Sequence, residues 1–273
     1  MNRTVPVYDS ARRGPRAWEE LVELLRYRNL VQQTIRRNIV VRYKRSVLGV
    51  AWTMLNPLAT AIILTIVFSR VFGGGASYAT YVLSGILAWN FFSQGTSDAM
   101  ANVLWGGSLL RRIYIPRTTF AVASIGTGLV NLALAIVPLV FIMLVTGVPV
   151  RPAMLILPVP AIFLAMFAMG IGLMISTFVL YFPDVAEMYG ILLMAWFYLS
   201  PIIWSENMLP PQYLWIVHLN PMYYLITCWR MPIYDGVLPG WDLLLISGGC
   251  ALVTLVAGWL FFSWKSDEFA YRV

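Results

Sequence analysis

The sequence has little charge and few residues of the kinds that build metal or catalytic sites. Of its 273 residues, 11% are Asp, Glu, Lys or Arg, 60% are hydrophobic, 2 are cysteines and 1 is a histidine. A soluble domain carries about a quarter charged residues to cover its water-facing surface. The long apolar runs therefore predict an all-α membrane protein with lipid as the main solvent. Cys228 and Cys250 give no disulfide framework, and His218 has no ligand spacing around it, so no metal site is expected.

The chain also lacks a phosphate-binding loop. Such a loop needs Gly-Lys followed by Ser or Thr, because the lysine reaches the terminal phosphates. The two lysines of this chain, Lys44 and Lys265, follow Tyr43 and Trp264 instead. We therefore expect no catalytic residue and no cofactor in this chain, which is not an enzyme by itself. ATP and magnesium would be bound by a separate subunit.

Charged residues are scarce within the apolar runs. Ion-coupled carriers tend to place Asp, Glu or His inside their spans. Here only Asp98 and Arg70 come close, and both fall near the ends of predicted spans. This argues against a proton- or sodium-coupled carrier.

Two regions are predicted along the chain. Residues 1–49 form a cytoplasmic leader with an amphipathic interface helix, because Trp18, Leu21, Val22 and Leu25 share one helical face. The alternative is a soluble helix packed on a partner. Residues 50–273 form a transmembrane domain. A span needs roughly 20 apolar residues, and six segments qualify, at about 50–72, 78–96, 119–145, 153–180, 185–203 and 241–264.

The region at 204–240 is too broken to span and too apolar for a water-exposed loop. It is rich in Trp, Tyr, Met and Pro. Irregular backbone at membrane depth is tolerated only where protein or a cavity shields it. We expect re-entrant half-helices, broken near Asn220-Pro221.

The basic residues are concentrated at one end. Residues 1–50 hold eleven of the nineteen Lys and Arg against four acids. This distribution fits an anionic membrane surface, and no nucleic-acid partner is expected. With the N-terminus in the cytoplasm, sixteen basic residues lie inside and only Arg70, Arg151 and Arg230 lie near the outside. The positive-inside rule therefore puts both termini of a multi-pass chain in the cytoplasm.

Several motifs carry a resemblance to a known family. They run in order from residue 36 to residue 226: RRNIVVRYKRSVLGVAW followed by MLNPL, then WNFF, LLRRIYIPR, YFPDV, SPIIW and LNPMYYLI. As a set they resemble the transmembrane permease subunits of type-two ABC exporters, which move O-antigen, capsule or teichoic-acid polymers. The resemblance covers about residue 20 to the C-terminus. It implies a location in the bacterial plasma (inner) membrane.

The resemblance also implies partners and roles. Two permeases and two separate ABC ATPase subunits would form the transporter, with a lipid-linked polysaccharide as cargo. The segment LLRRIYIPR resembles the coupling helix that docks on the ATPase, and the segment at 204–240 would form an outer gate. The coupling residues would be Leu109, Leu110, Arg111, Arg112, Ile113, Tyr114, Ile115, Pro116 and Arg117. The gate residues would be Asn220, Pro221, Tyr223 and Tyr224.

Each assignment has a plainer alternative. Arg111, Arg112 and Arg117 would also suit simple anchoring to lipid headgroups, but that role leaves the apolar residues between them unexplained. Asp184 and Glu187, on the other short cytoplasmic loop, would form a second ATPase contact or simply cap a helix.

Aromatic residues are candidates for a sugar path, because flat apolar rings stack on the C–H faces of sugars. The candidates are Trp52, Trp89, Phe91, Phe92, Trp196, Phe197 and Tyr198. The alternative is packing or placement at the membrane interface, which is favoured for any single one of them. Ala168, Gly172 and Ser176 are four apart and predict close helix packing, within one chain or between two.

Two other functions remain open. A permease for drugs or lipids shares the same architecture. A membrane-embedded glycosyltransferase or phosphotransferase would need paired carboxylates or a metal site at the membrane face. Asp267 and Glu268, adjacent acids in a short tail, are weak candidates for such a pair.

Overall fold

The protein is described here by a computed structural model that covers residues 16–44, 49, 51–72, 77–105 and 117–265. Within these residues all regular secondary structure is helical, and ten α-helices are present. This confirms the prediction of an all-α membrane protein. The helices are α1 (Arg16–Arg26), α2 (Arg28–Tyr43), α3 (Ala51–Phe72), α4 (Tyr78–Trp105), α5 (Thr118–Thr146), α6 (Pro158–Tyr181), α7 (Val185–Leu199), α8 (Leu214–His218), α9 (Pro221–Tyr234) and α10 (Trp241–Lys265).

Three of the described segments are long and apolar enough to cross a membrane: Thr118–Thr146, Pro152–Tyr181 and Trp241–Lys265. The apolar parts of α3 and α7 are shorter, at Met54–Ser69 and Val185–Leu199. Helix α4 is long, but polar residues interrupt its apolar sequence. The count of six spans therefore stays a prediction.

Two helices end at residues other than the predicted span ends. The second span was expected to end near residue 96, but α4 continues to Trp105. Asn102 donates a hydrogen bond to the Ser124 hydroxyl of α5 at 2.7 Å, so the polar last turns of α4 are held by a neighbour. The fifth span was expected to reach residue 203, but α7 ends at Leu199. Ser200 is extended, and Pro201 has no N–H to continue the helix.

Helix α4 lies at the centre of the bundle and contacts α3, α5, α6, α7 and α9. Its fully buried residues include Leu83 and Phe92. Gly172 of α6 lies against Ala99 of α4, where an added Cβ would come within 3.2 Å of the alanine methyl. The small residues Ala168, Gly172 and Ser176 are all buried. Of the two predicted alternatives, packing within one chain is the one observed.

Helix α1 has its apolar residues on the outside. Trp18 and Leu25 are 64% and 65% exposed, whereas Glu20 is only partly exposed and accepts a hydrogen bond from Ser263 of α10. The indole of Trp259 donates to the Ala17 carbonyl at 3.1 Å. A helix with outward apolar and inward acidic side chains suits a lipid interface better than water. Helix α2 follows and packs on α5, with Ile35 against Gly126.

Between α7 and α10 the chain is broken into short pieces. It contains two single 3₁₀ turns, Glu206–Met208 and Pro211–Tyr213, then α8 and the longer α9. Helix α9 is inserted into the bundle, since Met222, Leu225, Ile226 and Trp229 are buried against its neighbours. As predicted, the two helices of this region are separated at Asn220-Pro221.

Candidate functional site

A cavity of about 360 Å³ lies between α3, α4 and α5 and is called the α3-side cavity here. Its polar lining comes from Asn56, Asn90, Gln94, Asp98 and Asn131. Its aromatic lining comes from Trp52 and Phe91. A volume of this size is typical of a small-molecule site. The cavity therefore offers hydrogen-bonding groups beside flat apolar rings.

A second cavity of about 410 Å³ lies between α4 and α7 and is called the α7-side cavity here. It is lined by Ser93 and Ser97 of α4 and by the rings of Trp89, Phe197 and Tyr198. Gln94 and Asp98 line both cavities. The two cavities thus lie on either side of one polar face of α4.

The predicted path aromatics fall into two groups. Five of the seven line one of these cavities, namely Trp52, Trp89, Phe91, Phe197 and Tyr198. The other two, Phe92 and Trp196, pack edge to face with ring centroids 5.2 Å apart and also contact Phe167. Phe92 is completely buried. Its position favours the packing role that was the alternative for these residues.

The segment after α7 is held by side chains that bind its carbonyl groups. Arg230 of α9 donates to the carbonyls of Pro201 and Ile202 at 2.8 and 3.2 Å. Tyr78 of α4 donates to the carbonyl of Ile203 at 2.9 Å, and Tyr81 of α4 donates to that of Trp204 at 2.9 Å. Four consecutive carbonyls, 201 to 204, are thereby satisfied without secondary structure, as burial requires.

Arg230 is itself enclosed by protein. It is 6% exposed, its guanidinium lies 3.8 Å from the ring centre of Tyr81, and it approaches the Ser84 hydroxyl at 3.4 Å. The adjacent Trp229 donates to the Ser84 carbonyl at 3.1 Å. An added Cβ on Gly85 would collide with the guanidinium. Glycine at this position of α4 therefore makes room for the arginine.

The predicted gate residue Asn220 joins three elements. Its side-chain oxygen accepts from the Met222 amide at 3.0 Å, which caps α9, and from the Trp196 indole at 2.8 Å. Its amide nitrogen donates to the Ser200 hydroxyl at 2.9 Å. Pro221 occupies the first turn of α9, where its missing N–H costs nothing. Asn220 therefore ties the end of α7 to the start of α9.

The two gate tyrosines make separate contacts. Tyr223 donates to the carboxylate of Glu206, and the imidazole Nε2 of His218 lies 4.0 Å from the same carboxylate. Tyr224 donates to the carbonyl of His218 at 2.9 Å. The predicted gate residues thus lie close together at the start of α9 and make separate hydrogen bonds. Their role as a gate stays a prediction.

Most of the predicted coupling segment, residues 109–116, lies outside the described residues. Its last member, Arg117, precedes α5 and is partly buried. Burial lowers the pKa of Arg117 from its ordinary value. Asp184 precedes α7 and makes no side-chain capping hydrogen bond, and both it and Glu187 are exposed. The capping alternative for Asp184 therefore has no hydrogen bond to support it.

Some site residues were missed by sequence reasoning. Arg230 was counted only as an outer basic residue, and Tyr78 and Tyr81 were not considered. The polar face of α4 had a signal, since Asn90, Gln94 and Asp98 are four residues apart in a helix. Among the described residues, no group of three or more His, Cys, Asp or Glu comes together that would hold a metal ion.

A helical membrane bundle with polar, aromatic-lined cavities beside its central helix is typical of the membrane subunit of a transporter. The chain belongs to the ABC-2 type transporter family, which matches residues 29–234.

Similar proteins include named permeases. The chain is 27% identical over 206 residues to an O-antigen export system permease protein RfbA of Klebsiella pneumoniae, covering 74% of this chain and 79% of the relative. It is 23% identical over 254 residues to a protein of the same name in Myxococcus xanthus, covering 92% and 98%. It is 24% identical over 248 residues to the capsule polysaccharide export inner-membrane protein CtrC of Neisseria meningitidis, covering 87% and 91%.

Proposed function

We propose that this chain is the membrane-spanning subunit of an ATP-driven exporter of a lipid-linked polysaccharide, resembling O-antigen, capsule or teichoic acid. The observation that carries the proposal is the likeness over most of its length to permeases named for O-antigen and capsule export. The cavities beside α4 support it, because their amides, hydroxyls and aromatic rings suit a hydroxyl-rich chain. The proposed location is the bacterial inner membrane, with both termini in the cytoplasm.

The working unit would contain two copies of this chain. Helices α3 and α7 flank the polar face of α4, and each has an exposed apolar face. Ile63 and Ile66 of α3 are 60% and 73% exposed, and Ile191 and Met194 of α7 are 70% and 66% exposed. A second copy facing these helices would cover the α4 groove and enclose it as a central path.

Two ATPase subunits would bind the cytoplasmic face and hold the ATP and magnesium. The segment Leu109–Arg117 would transmit their closure, and Asp184 and Glu187 would form a second, ionic contact. The exposed carboxylates of these two acids are free to meet basic groups of a partner. ATP-driven closure would then open the path between the permeases.

Two rival functions make different predictions. A drug or lipid permease would need the ATPase, but deleting its gene would not change the polysaccharide on the cell surface. A glycosyltransferase would act without any ATPase. The acids Asp267 and Glu268, the weak candidates for such an enzyme, lie outside the described residues.

The test combines deletion with purification. Deleting the gene should remove the polysaccharide from the cell surface while polymer accumulates inside the cell. The purified chain should form a stable complex with the ATPase encoded beside it. Changing Ile113, Tyr114 and Ile115 to Ala should uncouple hydrolysis from transport.

Three results would overturn the proposal. Unchanged surface polysaccharide after deletion favours a drug or lipid cargo. If membranes that lack the ATPase make the polymer only when this chain is present, the chain is a polymer-synthesising enzyme. A chain that binds no ATPase is not a permease of this kind.

A further inference from the structure

One face of α4 carries polar residues at consecutive helical turns. Asn90, Ser93, Gln94, Ser97 and Asp98 are spaced i, i+3, i+4, i+7 and i+8. These spacings put them on one side of a helix. Eight residue steps correspond to about 12 Å along the helix axis. We call this set the α4 polar stripe.

Two amides of the stripe have no partner of their own. Within the described part of the chain, the side chains of Asn90 and Gln94 make no hydrogen bond. Gln94 is exposed and Asn90 is half-buried. An amide without a hydrogen bond in hydrocarbon costs several kcal/mol. The stripe therefore faces water or a polar ligand when the protein is in a membrane, because lipid tails offer no hydrogen bonds.

The surroundings of the stripe narrow the choice of ligand. Aromatic rings lie on both sides, with Trp52 and Phe91 in the α3-side cavity and Phe197 and Tyr198 in the α7-side cavity. A ligand in this groove meets hydrogen-bonding groups along its centre and apolar rings at its edges. A sugar chain has both complementary features, hydroxyl groups at its rim and C–H groups on its ring faces.

We propose that the α4 polar stripe is the line along which hydroxyl groups of the exported polysaccharide make hydrogen bonds as the chain passes. This inference rests on the proposed function and adds the contact residues. Amide side chains suit the role because each donates and accepts, so they match hydroxyls in any orientation. Four of the five residues are uncharged, which allows binding weak enough for the chain to move on, as conduction requires.

The first experiment measures access to the stripe. Cys228 and Cys250 are changed to Ala, and single cysteines then replace Asn90, Gln94 or Ser97. Inside-out vesicles of the full transporter are treated with a charged, membrane-impermeant maleimide. The matched control is Leu192→Cys, since Leu192 of α7 is 52% exposed on an apolar surface. Stripe cysteines should react and Cys at 192 should not.

The same labelling tests for cargo. Vesicles from cells that make the polysaccharide are compared with vesicles from cells in which its synthesis is blocked. Labelling at 94 should be lost when polymer is present. Equal labelling in both preparations would mean an aqueous groove that does not touch sugar, and absent labelling in both would mean a sealed one. Either result overturns the proposal.

The second experiment removes the hydrogen bonds. Asn90→Leu with Gln94→Leu should slow export, by about two- to tenfold for each lost contact, while ATPase binding is kept. Gln94→Asn, which keeps an amide, should retain most export. Gln33→Leu makes the same chemical change on an exposed residue of α2 and should have no effect. Unimpaired export in the double variant would refute the contact role.

Failure of this inference differs from failure of the proposed function. If gene deletion leaves surface polysaccharide unchanged, the polysaccharide function is wrong, whatever the stripe cysteines show. If deletion removes the polysaccharide but labelling of the cysteine at position 94 is the same with and without polymer, the proposed function stands. Only the assignment of the α4 polar stripe then fails.

Discussion

Gly170 of α6 and Gly258 of α10 lie with their backbones in direct contact. A Cβ added to Gly258 would overlap the carbonyl group of Gly170, and one added to Gly170 would overlap the carbonyl group of Thr254. In a membrane, helices associate through close packing because lipid tails give no hydrophobic drive. The close contact between α6 and α10 therefore depends on two glycines.

The glycine contact gives a stability prediction. Gly258→Ala should lower the free energy of unfolding by about 1–3 kcal/mol, because overpacking forces the helices apart. Thermal unfolding of the detergent-purified chain measures the effect. Gly249→Ala is the matched control on the same helix, since nothing lies within 4 Å of its added Cβ. Equal shifts for the two variants would contradict the close contact.

Arg230 gives a second prediction, on the outer segment. Arg230→Met would leave the carbonyls of Pro201 and Ile202 without their donor. Each buried carbonyl without a hydrogen bond should lower the free energy of unfolding by about 1–3 kcal/mol. The segment should loosen, and the buried thiol of Cys228 on the same helix should become reactive to maleimide. The assay uses Cys250→Ala to remove the other thiol.

The control for Arg230 is another arginine that binds a carbonyl. Arg151 donates to the Asp235 carbonyl at 2.9 Å but is exposed. Arg151→Met should leave Cys228 unreactive, because water replaces the lost donor there. An unreactive Cys228 in Arg230→Met would show that the arginine does not hold the segment.

Asn220 gives a third prediction, with a graded outcome. Asn220→Ala loses the cap of α9 and the bonds to Trp196 and Ser200. Asn220→Asp keeps an acceptor oxygen and loses the donor, so its effect on thermal stability should be smaller. The alanine variant should lose about 1–2 kcal/mol or more, since a lost cap alone costs about 1 kcal/mol. Asn207→Ala, at an exposed position of the same region, should be silent. A silent Asn220→Ala would contradict the bridging role.

Asp184 and Glu187 give a fourth prediction, on ATPase binding. Exposed ion pairs are worth about 0.2–1 kcal/mol each. Asp184→Asn with Glu187→Gln should therefore weaken ATPase affinity by about two- to thirtyfold, and the difference should shrink as salt is raised. Pull-down at two salt concentrations measures it. Asp242→Asn, at the exposed start of α10, is the charge-matched control. Equal affinity for the double variant and the wild type would remove these acids from the interface.

Periodicity and hydropathy predicted some elements well and others poorly. Helix α5 was expected at 119–145 and runs over Thr118–Thr146, because a long uninterrupted apolar run has one stable arrangement in lipid. The second span was predicted to end near residue 96 because the following residues are polar, whereas helix α4 continues to Trp105. A hydrogen bond from Asn102 to Ser124 on another helix holds that end, and a local pattern does not contain such a partner.

The candidate site shows the same division. The break at Asn220-Pro221 was predicted from proline, which restricts the residue before it and cannot donate. The cavities were not predicted, because they depend on which faces of α3, α4, α5 and α7 meet. The same packing encloses Phe92 completely, whereas its neighbour Phe91 is buried but still lines a cavity.

The sequence alone determined that this chain is a membrane protein and that it has no phosphate-binding loop. It also determined where the most apolar helices lie. These properties follow from composition and local pattern, since transfer of side chains and backbone into lipid is nearly additive along the chain. Tertiary structure alone decided that Arg230 reaches the carbonyls of Pro201 and Ile202, and that the polar face of α4 opens into two cavities. Those features depend on contacts between residues far apart in sequence, which form only once the helices pack.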